Sequence, residues 1–209
     1  MAGIYDYIRF DHTKGLFSYG VIDMLDHKLD FYQLGPGSKI LEKILLFAET
    51  KNLKIYAEDT GDKLIELRKC LHVHHVPGVK IFRFAYNEKR KVFVNEYLRT
   101  SKYPKNTVAY TTTHDTESLL GYLEKLNVNE LDMLKIEFGF ERVLTNTSLA
   151  VAIRNKVIYS PAKIVLIPMQ DWLLTTDRIN TPGTEKDKDD PNWRYVMSMP
   201  IEDLPIKFF

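Results

Sequence analysis

Five short apolar runs punctuate the chain, each followed by polar residues and then by a stretch with helical spacing. The runs are Ile4–Phe10 (IYDYIRF), Leu53–Ala57 (LKIYA), Val79–Ala85 (VKIFRFA), Thr107–Thr111 (TVAYT) and Lys163–Pro168 (KIVLIP). Each is five to seven residues long and rich in Val, Ile, Tyr and Phe, the composition of a strand covered on both faces. Between them, Ser38–Lys51 carries Ile40, Leu41, Ile44, Leu45 and Ala48 at helical spacing behind a serine in the capping position. Asp62–Leu71 predicts a second helix, Thr116–Leu126 a third, and Asn129–Ala152 room for one or two more. Strand alternating with helix predicts an α/β protein whose parallel strands are joined by right-handed crossovers.

Length narrows the choice of α/β type. Five strand–helix units in 209 residues fall short of the eight that close a barrel. No G-x-G-x-x-G follows the first run, so a dinucleotide fold lacks its main support. Arg178–Met197 reads as a long loop rich in turn formers and charge, with EKDKDDP at 185–191 as its solvated centre. Lys+Arg 29 against Asp+Glu 28 leaves a net charge of +1, which draws in neither nucleic acid nor an anionic membrane. An apolar fraction of 44% suffices for a core of its own. A single cysteine, Cys70, excludes an internal disulfide and a Cys-rich zinc module and fits a reducing compartment. No apolar run reaches the roughly 18 residues of a membrane span, and the N-terminus lacks the form of a signal peptide. A soluble, cytoplasmic protein is the expectation.

Chemistry gathers where the runs end. The first closes on Arg9-Phe10-Asp11-His12, the second on Glu58-Asp59, the fourth on Thr113-His114-Asp115 and the fifth on Gln170-Asp171. The carboxyl ends of parallel strands carry the active site in α/β folds, so these acids are expected on one rim. Like charges held together cost stability unless cations or hydrogen bonds offset them, and glycosidic chemistry uses such a set. Taken singly, each of these acids reads more readily as a loop or capping residue than as a catalytic one. His72, His74 and His75 in CLHVHHVPG invite a metal, yet the sequence puts no partner at ligand spacing, so they read as a solvated turn without metal. Cys70 reads as a small packed residue. Trp172 and Trp193 fit either the core or a sugar-stacking platform, with Trp172 favoured for the core.

The blocks RFDHTKG (9–15), AEDTG (57–61), PGVKIFRFAY (77–86), YTTTHD (110–115), PMQDWLL (168–174) and NTPGT followed by NWR, in this order, resemble the amylomaltase (4-alpha-glucanotransferase) family of the alpha-amylase superfamily. The resemblance implies a (β/α)8 TIM-barrel enzyme that cuts an alpha-1,4-glucan and passes the piece to an acceptor sugar hydroxyl, with no cofactor. By motif, Asp11 matches the nucleophile, Glu58 the general acid/base and Asp115 a third carboxylate that grips substrate. Arg9, His114, Asp59, Asn180, Pro182 and Gly183 match substrate-binding positions. The first run matches the fourth barrel strand, so residues 1–209 correspond to one partial domain, the C-terminal portion with strands four to eight. From that follow two expectations. Inner-face residues such as Ile8, Ile55 and Ile81 become candidates for contact with water, and the chain self-associates or takes up a complementary N-terminal barrel fragment. An inactive glucan-binding remnant and an alpha-glucan hydrolase remain as alternatives.

The roles make electrostatic demands. Arg9 lies two residues before Asp11, so on a strand both point to one side, and the guanidinium favours an ionised nucleophile. Glu58 as proton donor has to begin protonated, with its pKa raised by burial or by neighbouring carboxylates.

Overall fold

A computed structural model of the chain describes residues 4–26, 28–62, 64–140, 145–184 and 192–204. The EKDKDDP loop centre lies outside them. All five apolar runs carry strands: β1 (Tyr7–Phe10), β4 (Lys54–Ala57), β5 (Gly78–Ile81), β8 (Thr107–Tyr110) and β9 (Ile164–Leu166). Two hairpins come in addition, β2 (Ser18–Ile22) with β3 (Leu29–Leu34) and β6 (Tyr86–Asn87) with β7 (Val92–Phe93), both antiparallel. Helices α1 (Ser38–Thr50), α2 (Ile65–Val73), α4 (Leu119–Lys125), α5 (Val128–Glu137) and α6 (Asn146–Ile158) stand where helical spacing predicts them, and short α3 (Asn95–Leu98) and α7 (Met169–Leu173) complete the set. Strand pairing gives β1–β4, β2–β3, β5–β8–β9 and β6–β7, and among the described residues these sheets do not close into a barrel. No helix among them is long and apolar enough to cross a membrane.

The chain divides into two compact units: residues 1–80, 104–108 and 162–164 form one, and 81–103, 109–161 and 165–209 form the other. In the first, β1 and β4 run parallel in the register Tyr7↔Lys54 to Phe10↔Ala57. Its core is Leu41 of α1, Ala57 of β4 and Leu67, Cys70 and Leu71 of α2, with Leu64 and Val76 at the ends of α2. α1 begins behind Gly37 at φ 60, not behind a capping serine: Ser38 is already helical and makes no side-chain cap. The hairpin's exit is set by Gly35, whose hypothetical Cβ would lie 2.1 Å from the Leu16 carbonyl oxygen, so only glycine lets the chain pass.

In the second unit, α4, α5 and α6 each start at a side-chain cap. Ser118 accepts from the Gly121 amide, Thr145 from the Ser148 amide, and Asn127 forms a reciprocal capping box with Glu130. Leu119, Tyr122, Leu123, Leu149, Ile153 and Val157 are fully buried, and Phe82 meets Phe138 edge to face at 5.2 Å. The third apolar run is strand only to Ile81, because Phe82–Ala85 turn into a 3-10 helix. Ile81 is buried, contrary to its expected exposure, while Ile8 and Ile55 are half-buried.

Candidate active site

The β1–β4 register determines the first cluster. Phe10 pairs with Ala57, so the next residues, Asp11 and Glu58, leave neighbouring strand ends, tied by the Glu58 amide donating to the Phe10 carbonyl at 3.0 Å. The chain then turns sharply. Thr13 is fully buried and its hydroxyl donates back to the Phe10 carbonyl at 2.8 Å. His12 between them takes the left-handed conformation, φ 44 and ψ 41, which side chains other than glycine adopt reluctantly. That turn aims the His12 amide at Glu58 Oε2, 3.0 Å away.

Arg9 clamps both acids. Its Nη1 lies 2.7 Å from Asp11 Oδ1 and its Nη2 3.0 Å from Glu58 Oε2. The expected same-side placement of Arg9 and Asp11 therefore holds. Thr60 donates to Glu58 Oε1 at 2.8 Å. Burial pushes the Glu58 carboxyl up, but hydrogen bonds from the Asp11 side chain, the His12 amide and Thr60, together with the Arg9 charge, outweigh it and hold the group at about 2. The expectation of a protonated Glu58 is not met here: donors converge on this acid, while Asp11 stands further out in solvent.

Asp59 turns the other way. It is 5% exposed, and its carboxylate accepts from Arg68 Nε at 3.0 Å and from the Val79 amide at 2.8 Å. A Cβ on Gly78 would lie 2.7 Å from Asp59 Oδ1, so that glycine leaves the carboxylate its space. These bonds tie the Glu58 loop to α2 and β5.

The second unit holds its own polar cluster. Asp115 Oδ1 accepts from Asn180 Nδ2 at 2.6 Å and Oδ2 lies 3.2 Å from His114 Nε2. Arg178, which sequence reasoning missed, donates to the Asp115 carbonyl at 2.9 Å and the Asn180 carbonyl at 2.8 Å. Its signal was its place two residues before Asn180. Trp193 is exposed, adopts φ 61 and lies with its ring centroid 5.2 Å from that of His114, so it stands outside the core. Asn192 joins the NTPGT and NWR blocks, accepting from the Thr181 amide and donating to Thr184 Oγ1. Pro182 and Gly183 are exposed in that turn, Gly183 at φ 90.

Behind Asp115 sits Asp171, 1% exposed. It accepts from the hydroxyls of Thr111 and Thr112 and from the Leu119 amide, and so spans the loop that carries His114 and Asp115. Arg154 donates to the Asp171 and Trp172 carbonyls and lies 4.6 Å over the Trp172 ring.

Residues 1–201 match the family model described as 4-alpha-glucanotransferase. The 4-alpha-glucanotransferase of Streptococcus pneumoniae is 31% identical over 190 residues, covering 87% of this chain and 35% of that protein. The chloroplastic/amyloplastic enzyme of Solanum tuberosum is 28% identical over 209 residues, covering 96% of this chain and 34% of its own. Among solved structures, an amylomaltase from Streptococcus agalactiae in complex with acarbose matches with a TM-score of 0.76 at 26% identity, over 99% of this chain and 40% of that one. The chain thus spans about a third of the length of the curated relatives it matches. With the family model running through both polar clusters, the chain belongs to the 4-alpha-glucanotransferase family.

Proposed function

We propose that the chain is the C-terminal portion, strands four to eight, of a glucanotransferase catalytic barrel, and that it transfers a segment of an alpha-1,4-glucan to an acceptor sugar hydroxyl with retention. Asp11 attacks the anomeric carbon, Glu58 protonates the leaving oxygen and later deprotonates the acceptor, and Asp115 with His114, Asn180, Pro182 and Gly183 grips sugar hydroxyls. The observation that carries this reading is the Arg9 fork bridging Asp11 and Glu58.

At rest Glu58 is held ionised, the reverse of what the first step needs. A retaining site holds its carboxylates about 5–5.5 Å apart with the sugar bound between them. A sugar bound between the acids displaces the Asp11 hydrogen bond and adds burial, and both changes raise the Glu58 carboxyl toward the donor role. Esterification of Asp11 then removes its charge, and Glu58 leaves that step ionised, ready to act as base. A cytoplasmic setting is supported by the single unpaired cysteine.

Maltotriose separates the possibilities: glucose with longer maltodextrins means transfer, glucose with maltose alone means hydrolysis, and no change means a remnant. Asp11→Asn is expected to lower transfer by several orders of magnitude, because an amide forms no glycosyl ester. Glu58→Gln is expected to fail on maltotriose and to recover partly on an alpha-glucosyl fluoride, whose leaving group needs little acid help. Full activity of Asp11→Asn removes Asp11 from the mechanism.

A further inference from the structure

Three donor atoms of different kinds meet between α1 and α2. A Glu42 carboxylate oxygen, the Cys70 sulfur and a His74 ring nitrogen all lie within 4.8 Å of one another. Glu42 comes from α1, whereas Cys70 and His74 stand four residues apart on α2 and its C-cap, so one helical turn stacks them on a single face. His74 Nε2 is 3.7 Å from Glu42 Oε1. Cys70 and His74 are neighbours through the helix itself, and packing of α1 on α2 supplies the third donor, Glu42, 28 positions before the cysteine.

Cys70 is buried among Leu41, Leu67 and Leu71, yet its sulfur lies within 4.8 Å of both the Glu42 carboxylate and the His74 ring. A divalent cation placed among them engages sulfur, carboxylate and imidazole at once. Glu42 and His74 remain partly exposed, which gives an ion a path in.

We propose that Glu42, Cys70 and His74 form a three-donor Zn2+ site that staples α1 to α2, with its fourth position open to water. A sulfur, nitrogen and oxygen set suits this borderline-soft, tetrahedral ion, whereas Mg2+ and Ca2+ prefer oxygen alone. Bonds of about 2.0–2.3 Å require the three donors to close in slightly from their present spacing, which side-chain rotation on two surface-facing residues supplies. As the metal–sulfur bond forms, the thiol releases its proton to solvent, so affinity rises with pH. The site is separate from the Arg9–Asp11–Glu58 cluster and independent of glucan chemistry.

Co2+ serves as the spectroscopic probe, titrated into the full chain with its thiol kept reduced. Cys70 is the only cysteine, so a thiolate-to-metal charge-transfer band reports this site and no other. The expected result is a band saturating at one equivalent of Co2+, displaced by Zn2+ and lost in Cys70→Ser. His74→Ala, at a partly exposed ring, is expected to weaken Zn2+ affinity about tenfold or more, and Glu42→Gln likewise. If Cys70→Ser does not fold, slower alkylation of wild-type Cys70 in the presence of Zn2+ takes its place. Co2+ binding without the thiolate band, or Zn2+ affinity unchanged in His74→Ala, overturns the site.

Discussion

At the scale of single residues, the Glu58 loop shows how one motif divides its two acids. Glu58 and Asp59 are adjacent, yet one faces Arg9 and Asp11 while the other is enclosed against Arg68 and Val79. Asp59→Asn keeps the shape and removes the charge opposite Arg68, and a loss of about 2–4 kcal/mol is expected in denaturant melts. A change under 0.5 kcal/mol, the range of ordinary surface substitutions, contradicts the enclosed-anchor reading. Thr60 donates to the Glu58 anion, so Thr60→Val removes one of the groups that hold this pKa down. An upward shift from about 2 in the Glu58 carboxyl resonance during an NMR pH titration is the expected outcome; an unmoved titration means that Arg9 and His12 suffice.

Among elements, charge fixes the start of α4 as much as apolar packing does. Glu117, just before it, faces Lys125 at 2.6 Å, Arg83 at 3.1 Å and Arg178 at 3.6 Å. Burial raises its carboxyl, but the Lys125 hydrogen bond and the Arg83 guanidinium hold it at about 2, below the ordinary 4.5. A depressed carboxyl stabilises the fold above its ordinary pKa, and that stability is lost as pH falls from about 4.5 toward about 2. Glu117→Gln is therefore expected to cost about 2 kcal/mol at pH 7 and to flatten the decline of Tm between about pH 5 and pH 3. A wild-type slope surviving in the variant places that acid sensitivity elsewhere. The same network links Arg178 to the Asp115 loop, so fold stability and site geometry share residues here.

Over the whole molecule, the unusual feature is apolar surface left in water. Every residue of β3 is exposed, including Leu29, Phe31, Tyr32 and Leu34, and Met24 and Leu25 in the connecting turn are nearly bare. Exposed apolar surface of this kind drives association. Light scattering is expected to show concentration-dependent self-association of the isolated chain, reduced when Phe31 and Leu34 are both changed to lysine. A monodisperse 24.4 kDa species at all concentrations means that this surface is tolerated in the monomer.

What the sequence determined by itself was the set of main-chain elements and the residues at their ends. Five apolar runs and four helical segments stand where their periodicity puts them, because buried strands and amphipathic helices write their burial into local composition. The pairing of Asp11 with Glu58 was legible as motif, and both directly follow their strands, whereas Asp171 lies within α7. The hairpin of β2 and β3 was not legible, since its apolar residues face water and leave no alternation of inside and outside. Tertiary structure alone decided which neighbour of each acid is a partner. It turned Asp59 inward, made Arg9 a fork across two carboxylates, brought Arg178 to Asp115 and set Glu42 beside Cys70 and His74. These contacts join residues up to 63 positions apart, and a local pattern carries no information about which distant side chain will fill a given hydrogen bond.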